Sequence, residues 1–175
     1  MTIEEDLDEF CHLAIKLGAK DAKVIRAEDI VVSEWVRLKC QYGCGNYGQS
    51  LTCPPHTPDP EEFRKVLKGY EWAVLIKFED VRQGGSWESL HDVVAKLERE
   101  IFLSGYHSAF GLASGPCPYC TECNLEECVH SEIARPSMEG CGIDVYSTVR
   151  KAGFKLEVVK NREDRPVYFG LVLVK

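Results

Sequence analysis

No stretch of the 175-residue sequence approaches the roughly 20 consecutive apolar residues that cross a bilayer, which argues against a membrane-spanning helix. Positive charge is also scarce. Lys and Arg number 21 against 28 Asp and Glu, for a net charge of −7, so no global positive field exists to collect phosphate backbones, which argues against nucleic acid as a partner. Gly45 to Gly48 is not followed by the GK[ST] signature of a phosphate loop. No Ser-His-Asp or Cys-His pair is legible either. Met1 to Leu17, MTIEEDLDEFCHLAIKL, lacks the positive flank and continuous apolar core of a signal peptide, so a cytoplasmic location is expected.

Cysteine, by contrast, is abundant: nine residues, at 11, 40, 44, 53, 117, 120, 123, 128 and 141. In an oxidising compartment such density would suggest disulfides, but without a signal peptide it points to metal or redox chemistry. The odd count weakens a purely disulfide reading further.

The length suits one packed core, so residues 1–175 are read as a single metal-binding domain. Ile3 to Gly18 has apolar residues at helical spacing. Ala22 to Ile25 and Ile30 to Leu38 read as a hairpin that delivers the chain to Cys40. The prolines at 54, 55, 58 and 60 make Thr52 to Pro60 a stiff loop. From Pro60 a helix is expected to about Lys68, with Asp59 as its N-cap. A buried strand follows over Trp72 to Phe78, then a long helix over Ser86 to Ser104 ending at Gly105.

Tyr106 to Leu112 reads as a strand feeding the second cysteine loop. Ser137 to Glu139 is placed to cap or begin the next helix, Ile143 to Ala152, which Gly153 stops. Phe154 to Lys160 and Val167 to Val174 close the chain as strands. The expected class is α/β, with α+β as an alternative: a mixed β-sheet, flanking helices, and two cysteine-rich loops that each follow a strand.

The more specific motif is Gly115-Pro-Cys-Pro-Tyr-Cys-Thr-Glu-Cys-Asn-Leu-Glu-Glu-Cys128, spaced CxxCxxCxxxxC. Three thiolates at three-residue steps can wrap one cubane, as in the CxxCxxCxxxC-Pro run of bacterial ferredoxins. Here the last gap is one residue longer and Val129 stands where proline would be, so Cys128 either closes its own site or completes the other. Structural zinc is the alternative, although zinc sites usually pair two separated CxxC knuckles.

The second group is Cys40, Cys44 and Cys53-Pro-Pro, spaced CxxxCxxxxxxxxC with glycines at 43, 45 and 48. Glycine lets the backbone fold tightly and turn amide N–H groups toward sulfide or thiolate charge. The spacing is not the CxxxCxxC of radical enzymes that cleave S-adenosylmethionine. Three cysteines need a fourth ligand, with Cys128, Cys141, His56 or an exogenous molecule as candidates. An open position would leave one iron free as a Lewis acid. Cys11 reads as a small core residue, and Cys141, between two glycines, as either a bend or a ligand. His130 and Arg135 are candidates to stabilise a negatively charged cluster or bind an anionic substrate. His12, His91 and His107 lie in regular elements, where packing or exposure is the default.

Cys40, Cys44, Asn46-Tyr-Gly48, Cys53-Pro-Pro, Gly115-Pro-Cys117 with Cys120, Cys123 and Cys128, Arg135-Pro-Ser-Met-Glu139 and Gly142-Ile-Asp-Val145 together resemble an uncharacterised family of "predicted metal-binding proteins" of archaea and anaerobic bacteria, a cysteine-rich domain of unknown function. The resemblance implies metal binding by the seven cysteines other than Cys11 and Cys141, and a site-lining role for Arg135 to Val145. It implies no reaction. The leading expectation is a 4Fe-4S protein with one or two clusters, carrying electrons or serving as a redox or sulfur-handling accessory subunit, with a redox partner protein or a larger enzyme as its partner. The rivals are an enzyme with an open iron at the three-cysteine site, contacting substrate through Arg135 or His56, and a zinc-stabilised interaction module.

Overall fold

The computed structural model describes residues 2–79, 81 and 87–175 of the chain, the side chains of Trp87 and Glu88 excepted. Helix α1 (Ile3–Leu17) opens with a capping box between Thr2 and Glu5 and ends at Gly18. Strand β1 (Asp21–Arg26) is followed by a single 3₁₀ turn and helix α2 (Glu34–Gly43). Helix α3 (Pro60–Leu67) begins at Asp59, whose carboxylate accepts from the Glu62 backbone N–H as the expected N-cap. Strand β2 (Trp72–Glu79), helix α4 (Trp87–Leu103), the short strand β3 (Phe110–Leu112), helix α5 (Val145–Lys151) and strand β4 (Val167–Leu173) complete the order. The expected helix start at Ser86 lies outside the described residues.

The four strands form one sheet in the order β1-β2-β4-β3. The α/β class is as expected. Among the described residues the sheet is not mixed: its three strand pairs are antiparallel. Because β2 and β4 are central, both of their faces are covered and they read as nearly continuous apolar runs. Val74, Ile76, Phe78 and Val172 pack under α1 and α4 on one face. Ala73, Leu75, Phe169, Leu171 and Leu173 pack on the other against Phe63 of α3, Val149 of α5, Met138 and Ile143. The result is three layers. Among the described residues, no helix is long and apolar enough to cross a membrane.

Three expectations fail for physical reasons. Ile30 to Leu38 is not the second strand of a hairpin, so the first cysteine group follows a helix. Residues 31–33 run beside 142–144, through Ser33 N to Gly142 O at 2.9 Å and Asp144 N to Val31 O at 2.7 Å. The chain then turns into α2 at the extended residue Ser33, and helix-favouring Glu34, Arg37, Leu38 and Lys39 outweigh the β-branched pair before it. Phe154 to Lys160 is not a strand. Leu156 is buried and Phe154 meets Phe169, but Val158 and Val159 are exposed, and β3 occupies the side of β4 that another strand would need. The strand expected over Tyr106 to Leu112 shrinks to its last three residues.

Candidate metal centre

The CxxxC spacing of Cys40 and Cys44 is the i, i+4 spacing of a helix, which places two side chains on one face. Cys40 lies in the last turns of α2 and Cys44 is its C-cap residue. The loop that follows is drawn tight. Gly48 has φ 73°, a conformation suited to glycine, and its N–H donates to Pro54 O at 2.8 Å. The Ser50 and Thr52 hydroxyls pair at 2.9 Å, and Cys53 is buried. Behind it, the Thr57 hydroxyl donates to Gly140 O at 2.5 Å. Gly140 packs closely, since a Cβ there would stand 3.0 Å from Ser137 Oγ and 3.3 Å from Thr52 O, and those neighbours would have to give by a few tenths of an ångström.

Cys40, Cys44 and Cys53 thus line one cavity of about 120 Å³, together with Asn46, Tyr47, Pro54, Gly115, Pro116, Ser137, Glu139 and Gly140. Asn46 Nδ2 lies 3.9 Å from Cys44 Sγ as a donor. Burial pushes the Cys53 thiol up to about 11, with the Cys44 and Cys40 charges adding to it. Burial also raises Cys40, helped by the negative charge of Cys44 and Glu139 and opposed by Arg37. Thiols held neutral in this way must release protons to ligate a cation.

The second cysteine loop does follow a strand, as expected. It leaves β3 at Ser114 and returns beside its own start, where Ala113 N donates to Pro136 O at 2.8 Å and Met138 N donates to Ala113 O at 2.9 Å. Between those ends the loop has no helix or strand and is held from one side by α4. Tyr119 donates to Asp92 at 2.8 Å, and His91 Nε2 meets Ser114 O at 3.1 Å. Arg135 grips the Glu98 carboxylate with Nε at 2.5 Å and Nη2 at 2.6 Å. Glu98 also accepts from Gly111 N at 2.7 Å.

Cys117, Cys120, Cys123 and Cys128 line a second cavity of about 190 Å³, with Asn46, Ser50, Thr52, Pro116, Tyr119 and His130 among its walls. Cys128 therefore sits with its own loop. Burial raises the Cys117 thiol, and the charges of Cys128, Cys120 and Cys123 add to that. The two cavities share Asn46 and Pro116. Cys53 also feels the charge of Cys117, so the sites adjoin.

Other candidates fall elsewhere. His130 lines the four-cysteine cavity and its ring lies 5.8 Å from that of Tyr119. Arg135 lines neither cavity; its guanidinium also donates to the Ser131, Glu132 and Ala134 carbonyls. His56 is exposed. Cys141 is buried in the apolar layer that holds Met138 and Ile143, and burial pushes its thiol up to about 12. Cys11 packs against the opposite layer, in keeping with a core role. Ser137 to Glu139 leads into a 3₁₀ turn, Glu139–Cys141, while α5 takes its cap from Asp144.

Sequence reasoning missed Asp92 and Glu98, gave His91 no role beyond packing or exposure, and reached Glu139 only as part of the Arg135 to Val145 stretch that the resemblance places at the site. Glu139 stands in the wall of the three-cysteine cavity and also in that of a neighbouring cavity of about 270 Å³, and one of its carboxylate oxygens, Oε2, is sealed from solvent and lacks a hydrogen-bond partner. Burial raises its carboxyl, while hydrogen bonds to its own backbone N–H and to Ser137 act the other way.

All nine cysteines are free thiols. Among the described residues, no three His, Cys, Asp or Glu side chains converge as they would on a single ion. The thiols instead ring two cavities. Soft sulfur donors in sets of three and four fit an iron-sulfur group in chemistry. A family model described as "Predicted metal-binding protein (DUF2284)" matches residues 23–174. No curated protein and no solved structure matches the chain.

Proposed function

The chain belongs to this family of predicted metal-binding proteins, and from that premise we propose that it is an iron-sulfur protein that carries electrons as a redox accessory to a partner protein in a reducing cytoplasm. In this reading Cys117, Cys120, Cys123 and Cys128 hold a 4Fe-4S cluster, and Cys40, Cys44 and Cys53 hold a second metal group. The observation that carries it is the adjacency of two cysteine-lined cavities with Asn46 and Pro116 as a common wall. Clusters bound there would supply one-electron chemistry.

The setting of the thiols favours a multinuclear group over zinc. Structural zinc usually takes two separated CxxC knuckles, whereas the four cysteines here form one CxxCxxCxxxxC run, and among the described residues no three donors converge as on a single ion. The residues of the chain divide the remaining work. Tyr119, His91 and Arg135 hold the four-cysteine loop to α4, and Asn46 offers an amide N–H toward sulfur between the two sites. A partner protein has an approach over α2, where Trp35, Leu38 and Tyr42 form one exposed apolar stripe on the helix that carries Cys40.

The test is purification without oxygen, followed by iron and acid-labile sulfide analysis and electron paramagnetic resonance before and after reduction. Equal iron and sulfide, about four of each per cluster, with a signal that appears on one-electron reduction, is the expected result. Zinc without sulfide overturns it.

A further inference from the structure

The three-cysteine cavity poses a question of arithmetic. Metal groups held by protein thiolates commonly take four ligands, and only three cysteines line this cavity. Each side chain that the sequence suggests as a fourth ligand is accounted for elsewhere. Cys128 lines the neighbouring cavity with its own loop. Cys141 is buried in the apolar layer under the sheet, and His56 is exposed and forms no part of the wall.

One other anionic side chain does line it. Glu139 is in the cavity wall, which it shares with a neighbouring cavity of about 270 Å³; the 3₁₀ turn Glu139–Cys141 and the close approach of Gly140 to Thr52 and Ser137 fix its backbone, and its charge acts on Cys40. Its Oε2 is shut off from solvent and has no hydrogen-bond partner. A carboxylate oxygen in that condition is costly to bury. The cost is offset if the oxygen faces a cation, because carboxylate oxygen is a common ligand to both zinc and iron.

We propose that the Glu139 carboxylate is the fourth ligand of the metal group held by Cys40, Cys44 and Cys53. The two sites then differ in kind: one all-sulfur, the other with a single oxygen ligand. A hard carboxylate on an iron otherwise surrounded by sulfur is the weakest link of the set, so the metal it holds is the most readily exchanged in the molecule. The proposal rests on the reading that these three cysteines bind metal, and its test separates the two.

The full chain, as wild type and as Glu139→Gln, Glu139→Cys and Cys53→Ser, is reconstituted anaerobically with ferrous iron and sulfide. Iron per chain and the rate of iron loss to a chelator are measured, with circular dichroism to compare the folds. Glutamine keeps the size of the side chain and can still hydrogen-bond, but it is a poor ligand. Outer hydrogen-bond partners of metal ligands account for about 10–100-fold in affinity; loss of a direct ligand is expected to speed iron loss from this site by at least about 100-fold. Glu139→Cys restores retention to the wild-type rate or slower, which a merely structural role for the carboxylate would not produce.

Glu139→Gln that holds iron as wild type does, while Cys53→Ser loses it, overturns the ligand assignment and leaves the cysteine site standing. Cys53→Ser with unchanged iron overturns both.

Discussion

The two cysteine sites are neighbours built on opposite plans. The four-cysteine site is contiguous: its sulfurs come from one loop without helix or strand, pinned at its base by Ala113 and Met138 and along one side by α4. The three-cysteine site is assembled from the end of α2, a proline-stiffened loop and the 137–140 turn, with Cys53 buried among them. Contiguity makes the first site easy to recognise and leaves it reliant on polar tethers. Assembly makes the second hard to recognise and builds it into the packed structure.

The strongest way to break that comparison is to remove metal altogether. Hydrogen exchange after chelation is expected to rise to near-unprotected rates over residues 117–134, where little apolar surface holds the backbone. Residues 48–57 should keep much of their protection through the buried Cys53, the Ser50–Thr52 pair and the bond from Thr57 to Gly140. Equal loosening of both segments would show that the proline loop owes its order to metal as well.

Next in size is Glu98→Ala. Its ion pair with Arg135 is largely shielded, with side-chain exposures of 12% and 16%, and removing one partner strands the other. The Gly111 N–H loses its acceptor in the same stroke. A loss of about 3 kcal/mol is expected in urea titrations, with faster exchange across residues 117–134 and little change at 48–57. A cost below about 1 kcal/mol would mean that α4 does not hold the loop by this pair.

The same contrast explains what could be read in advance. Asp59 before Pro60, the apolar periodicity of α1 and α4, and the apolar runs of β2 and β4 are local signals that agree with the final packing. The CxxCxxCxxxxC spacing is local too. The α2 segment was misleading because Ile30 to Val32 carries strand propensity while the helix starts only at Ser33–Glu34; the i, i+4 spacing of Cys40 and Cys44 was the available clue. Glu139, His91, Asp92 and Glu98 act across long sequence separations, so only tertiary structure reveals their roles.

A matched pair of smaller substitutions addresses each site separately. Tyr119→Phe removes a hydrogen bond to a carboxylate, and about 1.5 kcal/mol is expected, with its exchange signature in the four-cysteine loop. Thr57→Val removes the hydroxyl that ties Gly140 to the proline loop, for about 1 kcal/mol, with its signature around Cys53. If either variant perturbs both segments alike, the two sites are one mechanical unit and the contrast between them is only one of sequence.

The smallest effect concerns acid. His91 is buried at the stem of the four-cysteine loop, its Nε2 against the Ser114 carbonyl and its Nδ1 unpartnered. Burial lowers its pKa, with the Ser114 carbonyl and Asp92 acting against that shift. The unfolded chain therefore takes up the proton first, and the folded state loses stability as pH falls below about 6.5, the ordinary histidine value. Above that pH both states are neutral at this residue and it contributes no slope. One proton limits the loss to about 1 kcal/mol between pH 6.5 and 5.5. His91→Gln keeps a donor for Ser114 but cannot charge, so its urea midpoint should fall less than that of the wild type over this interval, and the acid-induced rise in exchange should shrink over residues 114–134 while 48–57 stays unchanged. Identical acid slopes in the two proteins would place the pH sensitivity elsewhere and leave the ion pair and the Tyr119 bond as the tethers that set this loop apart.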